Sequence, residues 1–145
     1  MSQEISVSVV IVTFNRADSL RETLTSMVHQ EHRPDEVIVV DNNSTDHTHE
    51  VVQEFVRLLS IRYVCEERRG IPYARNAGIE AATKDIIAFI DDDCVADADW
   101  LKHLLAPFIR DPNIGAVGGG VAYLKSNGGI VDRFYRENMP PHHST

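Results

Sequence analysis

The sequence predicts an α/β domain in which helices cover both faces of a mostly parallel sheet. The apolar residues switch between a period of two and a period of 3.6 in a regular order along the chain. The connections between these predicted strands and helices are short, which favours βαβ units. In addition, three of the apolar segments end directly in a cluster of polar residues. Together these observations predict a three-layer, Rossmann-like architecture.

The first half of the chain predicts three strands and two helices. Residues 5–13 alternate at first and then become continuously apolar, which is typical of a strand entering a sheet covered on both faces. Asn15 is the expected cap of the helix that follows. The remaining elements of this half are a helix over 20–28, a strand over 37–40, a helix over 51–59 and a strand over 61–64.

The second half continues the alternation. Pro72 suits the first turn of a helix whose alanines (Ala74, Ala77 and Ala81) form a narrow face for close packing. Asp97 is the expected cap of the next helix. The elements predicted here are a helix from 72, a strand over 86–90, a helix over 100–108 and a fifth strand over 114–117. Residues 1–145 are therefore expected to form one domain, in which about 122–145 are weakly patterned.

Composition and charge narrow the class of protein. The 145 residues include 14 basic and 22 acidic side chains, so the formal charge of −8 argues against nucleic acid as a partner. No apolar run approaches the roughly eighteen residues of a membrane-spanning helix, and the N-terminus lacks the pattern of a signal peptide. Two cysteines without CxxC spacing suit a reducing compartment. We expect a cytoplasmic protein, with peripheral contact to the inner face of the membrane as the alternative.

The three polar clusters, 13–15, 41–43 and 91–93, should converge at one edge of the sheet. In open parallel sheets the ligand lies outside the carboxyl ends of the strands, and all three clusters follow predicted strands. Consecutive residues of an extended chain point to opposite sides, so Asp91 and Asp93 should point one way and Asp92 the other. Carboxylates prefer hard cations such as Mg²⁺ or Mn²⁺. The triplet thus predicts a metal–diphosphate site, the alternative being a solvated acidic turn.

Single residues near these clusters allow two interpretations each. Asp41 could bind a ribose hydroxyl or a base, or it could simply form the turn. Arg75, near the positive end of the Pro72 helix, could meet a diphosphate or be an ordinary surface residue. Arg68 and Arg69 are weaker phosphate candidates. A G-x-G-x-x-G sequence and a Walker A loop are both absent, so NAD and FAD are not expected.

Four segments together resemble family 2 glycosyltransferases of the GT-A fold. They read VSVVIVTFNR (7–16), EVIVVDNNSTD (36–46), GIPYARNAG (70–78) and AFIDDD (88–93), and they occur in the order of the family. Each segment alone is weakly specific, whereas the combination is highly specific. The resemblance covers about residues 5–120.

The resemblance implies a nucleotide-sugar donor, often a UDP-sugar, bound with Mn²⁺ or Mg²⁺, and transfer with inversion at the anomeric carbon. It implies that Asp91 and Asp93 are the two acids of a DXD motif, which face the metal and the ribose. Asp93 and Asp91 are both expected as metal ligands. Asp92 is counted with the residues that bind the nucleotide-sugar. The others expected there are Thr13, Phe14, Asn15 and Asp41 at the nucleoside and Arg75 near the base or phosphates.

The acceptor side of the domain is expected to be truncated. In the family a carboxylate from a later segment removes the proton of the acceptor hydroxyl, and the acids after the predicted fifth strand are Asp132 and Glu137. The chain is then either a glycosyltransferase or a nucleotide-sugar-binding module without a base. A phosphoryl-transfer domain with the same layout is a more remote alternative. The acceptor is a saccharide, a lipid or a protein, and an open sheet edge predicts self-association.

Overall fold

A computed structural model describes residues 4–120, in which four strands and four helices alternate along the chain. The four strands form one parallel sheet in the order β3-β2-β1-β4. The predicted α/β class with a parallel sheet is therefore confirmed. The elements are β1 (Val7–Thr13), α1 (Ala17–Val28), β2 (Glu36–Asp41), α2 (Thr48–Phe55), β3 (Ile61–Cys65), α3 (Ile71–Ala81), β4 (Ile86–Phe89) and α4 (Trp100–Arg110).

Apolar side chains on both faces of the sheet explain the continuous apolar runs in the sequence. One face of β1 and β2 packs against α1, α2 and α4 in a cluster that includes Val9, Val37 and Leu24. The other face packs against α3, where Val10 and Ile38 belong to a second, smaller cluster. Both central strands are buried along almost their whole length. The helices thus form two outer layers, as the sequence predicts.

Helix α3 lies very close to the sheet because Gly78 has no side chain. A Cβ atom at Gly78 would lie 2.5 Å from Cγ1 of Val10 and 3.3 Å from Cγ2 of Val40. The small residue Ala74 is also fully buried on this face. This close contact fixes the position of the N-terminal turns of α3, which carry Arg75.

A buried carboxylate ties the elements together at the amino end of the sheet. Glu36 Oε1 accepts hydrogen bonds from Ser8 Oγ at 2.6 Å, from Thr83 N at 2.7 Å and from Thr83 Oγ1 at 3.0 Å. Burial opposes ionisation of Glu36, but these hydrogen bonds outweigh it and lower the pKa of the carboxyl. The contacts join β1, β2 and the α3–β4 connection at the end of the sheet opposite the predicted site.

The predicted cap of the first helix is wrong. The N-cap of α1 is Arg16, and Asn15 adopts a left-handed backbone conformation with a φ of 50°. Asn15 Oδ1 instead accepts hydrogen bonds from the backbone N–H groups of Thr45, at 2.7 Å, and Asp46, at 3.3 Å. The carboxylate that bonds the N–H of Ala17 belongs to Asp46, at 3.1 Å. A residue 29 positions away along the chain therefore stabilises this helix end.

Two predictions in the second half are also wrong. Helix α4 begins at Trp100 with Asp99 as its N-cap, and Asp97 contributes its backbone carbonyl rather than its side chain. Residues 114–117 form no strand, and within residues 4–120 β4 is the last strand on its side of the sheet. None of the helices in that part of the chain is both long and apolar enough to cross a membrane.

Candidate functional site

A cavity of about 530 Å³ opens at the carboxyl ends of β1 and β4. The strand order reverses between these two strands, which is the position where ligands bind in open α/β sheets. Its volume is within the usual range for small-molecule sites. The polar and aromatic side chains that line it are those of Thr13, Phe14, Arg16, Asn42, Arg69, Arg75, Phe89 and Asp91–Asp93.

The three consecutive aspartates differ in burial, with the middle one buried and its two neighbours exposed. The side chain of Asp92 is 9% exposed, against 72% for Asp91 and 54% for Asp93. Burial raises the pKa of the Asp92 carboxyl, and the Thr13 hydroxyl and the Arg16 guanidinium beside it oppose this rise. Asp91 and Asp93 therefore present exposed carboxylates at the edge of the cavity.

These two carboxylates have the chemistry that a hard divalent cation requires. One oxygen of Asp91, one oxygen of Asp93 and the sulfur of Cys94 lie within 4.8 Å of one another. Burial raises the pKa of the Cys94 thiol, which keeps it a neutral, soft and weak ligand. The donor set thus fits Mg²⁺ or Mn²⁺ held by carboxylates and completed by the oxygens of a substrate phosphate.

Arginine side chains balance the charge of the aspartates. Arg16 Nη1 lies 3.3 Å from Asp92 Oδ1 and 3.0 Å from Asp93 Oδ2. Arg75 Nη2 lies 3.9 Å from Asp91 Oδ1. With Arg69, three arginines and three aspartates line the cavity, so its formal charge is zero. Arg16 was not singled out by the sequence analysis, although it directly follows the polar cluster after β1.

An aromatic ring and an arginine from two different loops flank another part of the cavity. The ring of Phe14 is 43% exposed, and Cζ of Arg69 lies 5.8 Å from its centroid. Thr13 Oγ1 is buried beside the Asp92 carboxyl and makes no hydrogen bond of good geometry among residues 4–120. A well-aligned hydrogen bond with a ligand in the cavity would stabilise this hydroxyl.

Asn42 holds the loop that carries Arg69. Its Nδ2 donates to the carbonyls of Glu66 at 2.8 Å and Arg68 at 2.7 Å, and its Oδ1 accepts from the N–H of Gly70 at 2.9 Å. The neighbouring Arg68 forms a bidentate pair with the Glu66 carboxylate instead of lining the cavity. Only one of the two weaker phosphate candidates therefore reaches this site.

The cavity brings most of the predicted site residues together. Asp41 and Asn15 do not line it. Asp41 Oδ1 accepts from the Ser44 N–H at 2.8 Å, and Oδ2 accepts from the hydroxyl of Tyr63. The predicted residues that line it are Thr13, Phe14, Arg75, Asp91, Asp92 and Asp93. The candidate bases Asp132 and Glu137 lie outside the described residues.

Sequence comparison gives one family for nearly the whole chain. The model of the family described as "Glycosyl transferase family 2" matches residues 8–143. The chain is 36% identical over 118 residues to the glucosyl-dolichyl phosphate glucuronosyltransferase of Haloferax volcanii, covering 79% of this chain and 38% of that protein. It is 33% identical to the glycosyltransferase AglE of the same organism, covering 89% of this chain and 43% of the relative. The chain thus spans less than half the length of these curated relatives.

Solved structures with the same fold include GT-A glycosyltransferases with nucleotides bound. The mannosyltransferase PcManGT from Pyrobaculum calidifontis, in complex with GDP-Man and Mn²⁺, superposes with a TM-score of 0.70 at 30% identity. That match covers 79% of this chain and 35% of the other. Residues 1–349 of S. aureus TarS in complex with UDP give a TM-score of 0.69 at 27% identity, covering 82% of this chain and 38% of the other. The predicted GT-A fold is confirmed.

Proposed function

Because this chain belongs to glycosyltransferase family 2, we propose that its cavity binds the donor of a sugar-transfer reaction, a nucleoside-diphosphate sugar. A UDP-sugar is the favoured donor, and the reaction moves the sugar to an acceptor hydroxyl with inversion at the anomeric carbon. One observation carries the proposal. Three aspartates and three arginines meet at the point where the strand order reverses, beside an exposed aromatic ring.

The lining suggests how the donor is oriented. Phe14 offers a ring face to the base, and Thr13 Oγ1 offers a buried hydroxyl beside Asp92. Arg69 and Arg75 provide guanidinium groups for phosphate oxygens, which they bind through two parallel hydrogen bonds. Asp91 then faces the ribose and Asp93 the diphosphate. The donor would lie with its nucleoside toward β1 and its diphosphate toward the loop after β4.

Stabilisation of the leaving diphosphate is the main catalytic task of these residues. Negative charge builds on the diphosphate as the bond between sugar and phosphate breaks. Mn²⁺ or Mg²⁺, held by Asp93 with Asp91 as second ligand, would supply Lewis-acid neutralisation of that charge. The close packing of α3 on the sheet fixes the backbone at Arg75, so its side chain starts from a fixed position beside the cavity. Removing one such electrostatic partner typically lowers the rate by about 10²–10³.

Calorimetric titration of UDP, with GDP in comparison, tests the donor site directly. We expect UDP to bind in the presence of Mn²⁺ and to bind more weakly without it. Asp93→Asn should abolish the effect of Mn²⁺. Asp97→Asn is the matched control, because Asp97 is exposed, lies four residues along the same loop and does not line the cavity. Absence of binding of either nucleotide with any metal would contradict the proposal.

A second candidate function is a nucleotide-sugar-binding module that does not turn over. It is favoured by the lining of the cavity, whose only carboxylates within residues 4–120 are the three assigned to the donor. Asp132 and Glu137 therefore stay as the candidate bases of the enzyme. Product analysis separates the two functions, since UDP released from a UDP-sugar with an acceptor hydroxyl present indicates an enzyme. Nucleotide binding without UDP release, with or without an acceptor, indicates a module.

A further inference from the structure

Arg16 occupies the position between the two carboxylates at the mouth of the cavity. A single nitrogen, Nη1, contacts both Asp92 Oδ1 and Asp93 Oδ2, at 3.3 Å and 3.0 Å. Asp93 also belongs to the group of donor atoms suited to a divalent cation. The guanidinium and a divalent cation would therefore compete for Asp93, since they carry charge of the same sign.

The backbone at Arg16 is fixed on both sides. The preceding residue, Asn15, has a φ of 50° and is held by hydrogen bonds to the 44–46 turn. The following N–H, of Ala17, bonds the carboxylate of Asp46. The carbonyl of Arg16 accepts the first backbone hydrogen bond of α1, from Leu20 N at 2.9 Å. Only the long side chain, which is 55% exposed, is free to change its position.

The charge balance of the cavity lining indicates which ligands would displace the Arg16 side chain. Three arginines and three aspartates leave the cavity formally neutral. Adding a divalent cation alone would make the site positive and would oppose Arg16. Adding the cation together with a diphosphate restores the balance and provides a new anion for the displaced guanidinium.

We propose that Arg16 is a resident counter-cation that a divalent metal displaces from Asp93 and that then pairs with the diphosphate of the donor. This inference rests on the function proposed above. Displacement of Arg16 makes metal binding and nucleotide binding mutually dependent. A metal ion that binds without nucleotide must break the contact between Arg16 and Asp93 and has no phosphate oxygens as ligands. Arg16 is in this sense a positioning residue for the donor and not a metal ligand.

The test compares Mn²⁺ and UDP binding by the whole chain and by Arg16→Gln. Mn²⁺ alone should bind the variant about threefold to fivefold more tightly, which is the upper part of the range expected for loss of a partly exposed ion pair that competes with the metal. UDP in the presence of saturating Mn²⁺ should bind about tenfold more weakly, because a charge-assisted contact with phosphate is lost. A change that merely disturbed the structure would weaken both.

Two control variants sharpen the result. Arg16→Lys keeps the positive charge and should bind Mn²⁺ within about twofold of the wild type. Arg21→Gln removes the same charge from the same helix, where Arg21 pairs with Asp18 and Glu54 outside the cavity. It should leave both affinities within about twofold of the wild type.

The outcomes distinguish this inference from the proposed function. If Arg16→Gln and the wild type bind Mn²⁺ with equal affinity while UDP still binds, the role of Arg16 is overturned and the donor site stands. If Arg16→Gln weakens both ligands equally, Arg16 is a structural residue and the inference also falls. If neither protein binds Mn²⁺ or UDP, the proposed function is overturned together with the inference.

Discussion

Replacing Gly78 by alanine should destabilise the chain, although the same change stabilises most exposed helices. Alanine gains about 1 kcal/mol over glycine from helix propensity. Here the new methyl group would lie 2.5 Å from Cγ1 of Val10, whereas carbon atoms in contact need about 3.5–4.0 Å. Val10 is fully buried in a central strand, and a β-branched side chain has few rotamers to adopt. An overpacking cost of about 3 kcal/mol then outweighs the gain and leaves a net loss of about 2 kcal/mol.

Urea denaturation followed by circular dichroism measures this loss, and a double-mutant cycle with Val10→Ala identifies its cause. In the Val10→Ala background the new methyl group fills the vacated space, so Gly78→Ala should cost at least 1 kcal/mol less than in the wild type. Asn76→Ala, on the exposed side of the same helix, is the control and should be neutral or slightly stabilising. A Gly78→Ala protein as stable as the wild type, or an equal loss in both backgrounds, would refute the close-packing argument.

Three further predictions concern the rest of the fold. Glu36→Gln should lower the free energy of unfolding by about 1–3 kcal/mol at pH 7. Because the folded-state pKa of Glu36 lies below its unfolded value, the stability difference between wild type and variant should fade as the pH drops below about 4.5. A stability difference that does not depend on pH would contradict an ionised Glu36 carboxylate. Asn42→Ala removes three hydrogen bonds and should speed amide exchange across residues 66–70 while leaving α1 unchanged, and unaltered exchange there would contradict the anchoring role. Self-association through β4, where Phe89 is 43% exposed, should appear in light scattering as a mass that rises with concentration, and a constant monomer mass would count against it.

The elements that the sequence predicted well are those whose pattern reflects burial. The run 37–40 is continuously apolar because both faces of β2 are covered, and the structure shows it fully buried. The alanine face of α3 likewise predicted a helix in close contact with the sheet. In each case the burial of a residue follows from its position in its own strand or helix. The local period of apolar residues is therefore sufficient to predict that burial.

The errors occurred where the partner of a residue lies far away in the sequence. Asn15 has the right chemistry for a cap, but its side chain bonds the 44–46 turn, and Asp46 stabilises the helix end instead. The run 114–117 has few apolar residues and is interrupted by Gly115. No neighbouring strand pairs with it in the described part of the chain. A strand forms when a partner supplies its hydrogen bonds, and local sequence does not show whether one is present.

The candidate site could be predicted in outline because the carboxyl ends of parallel strands meet at one edge. That rule placed all three polar clusters together, and residues of each line one cavity, although the cluster after β2 contributes Asn42 and not Asp41. The contact of Arg16 with Asp93 joins residues 77 positions apart, and nothing in the local pattern indicates it. The chemistry of the aspartates could have indicated Arg16, because three adjacent carboxylates require positively charged partners. Arg16 directly follows the polar cluster 13–15, which was predicted to lie beside them.

A crystal structure of the chain with UDP and Mn²⁺ would show whether the cavity at the ends of β1 and β4 is the donor site. We expect electron density for the uracil against Phe14, for the diphosphate at the loop of Asp91–Asp93, and for the metal ion beside the Asp93 carboxylate. UDP bound at another surface, or bound in the cavity with its diphosphate directed away from Asp91–Asp93, would contradict this expectation.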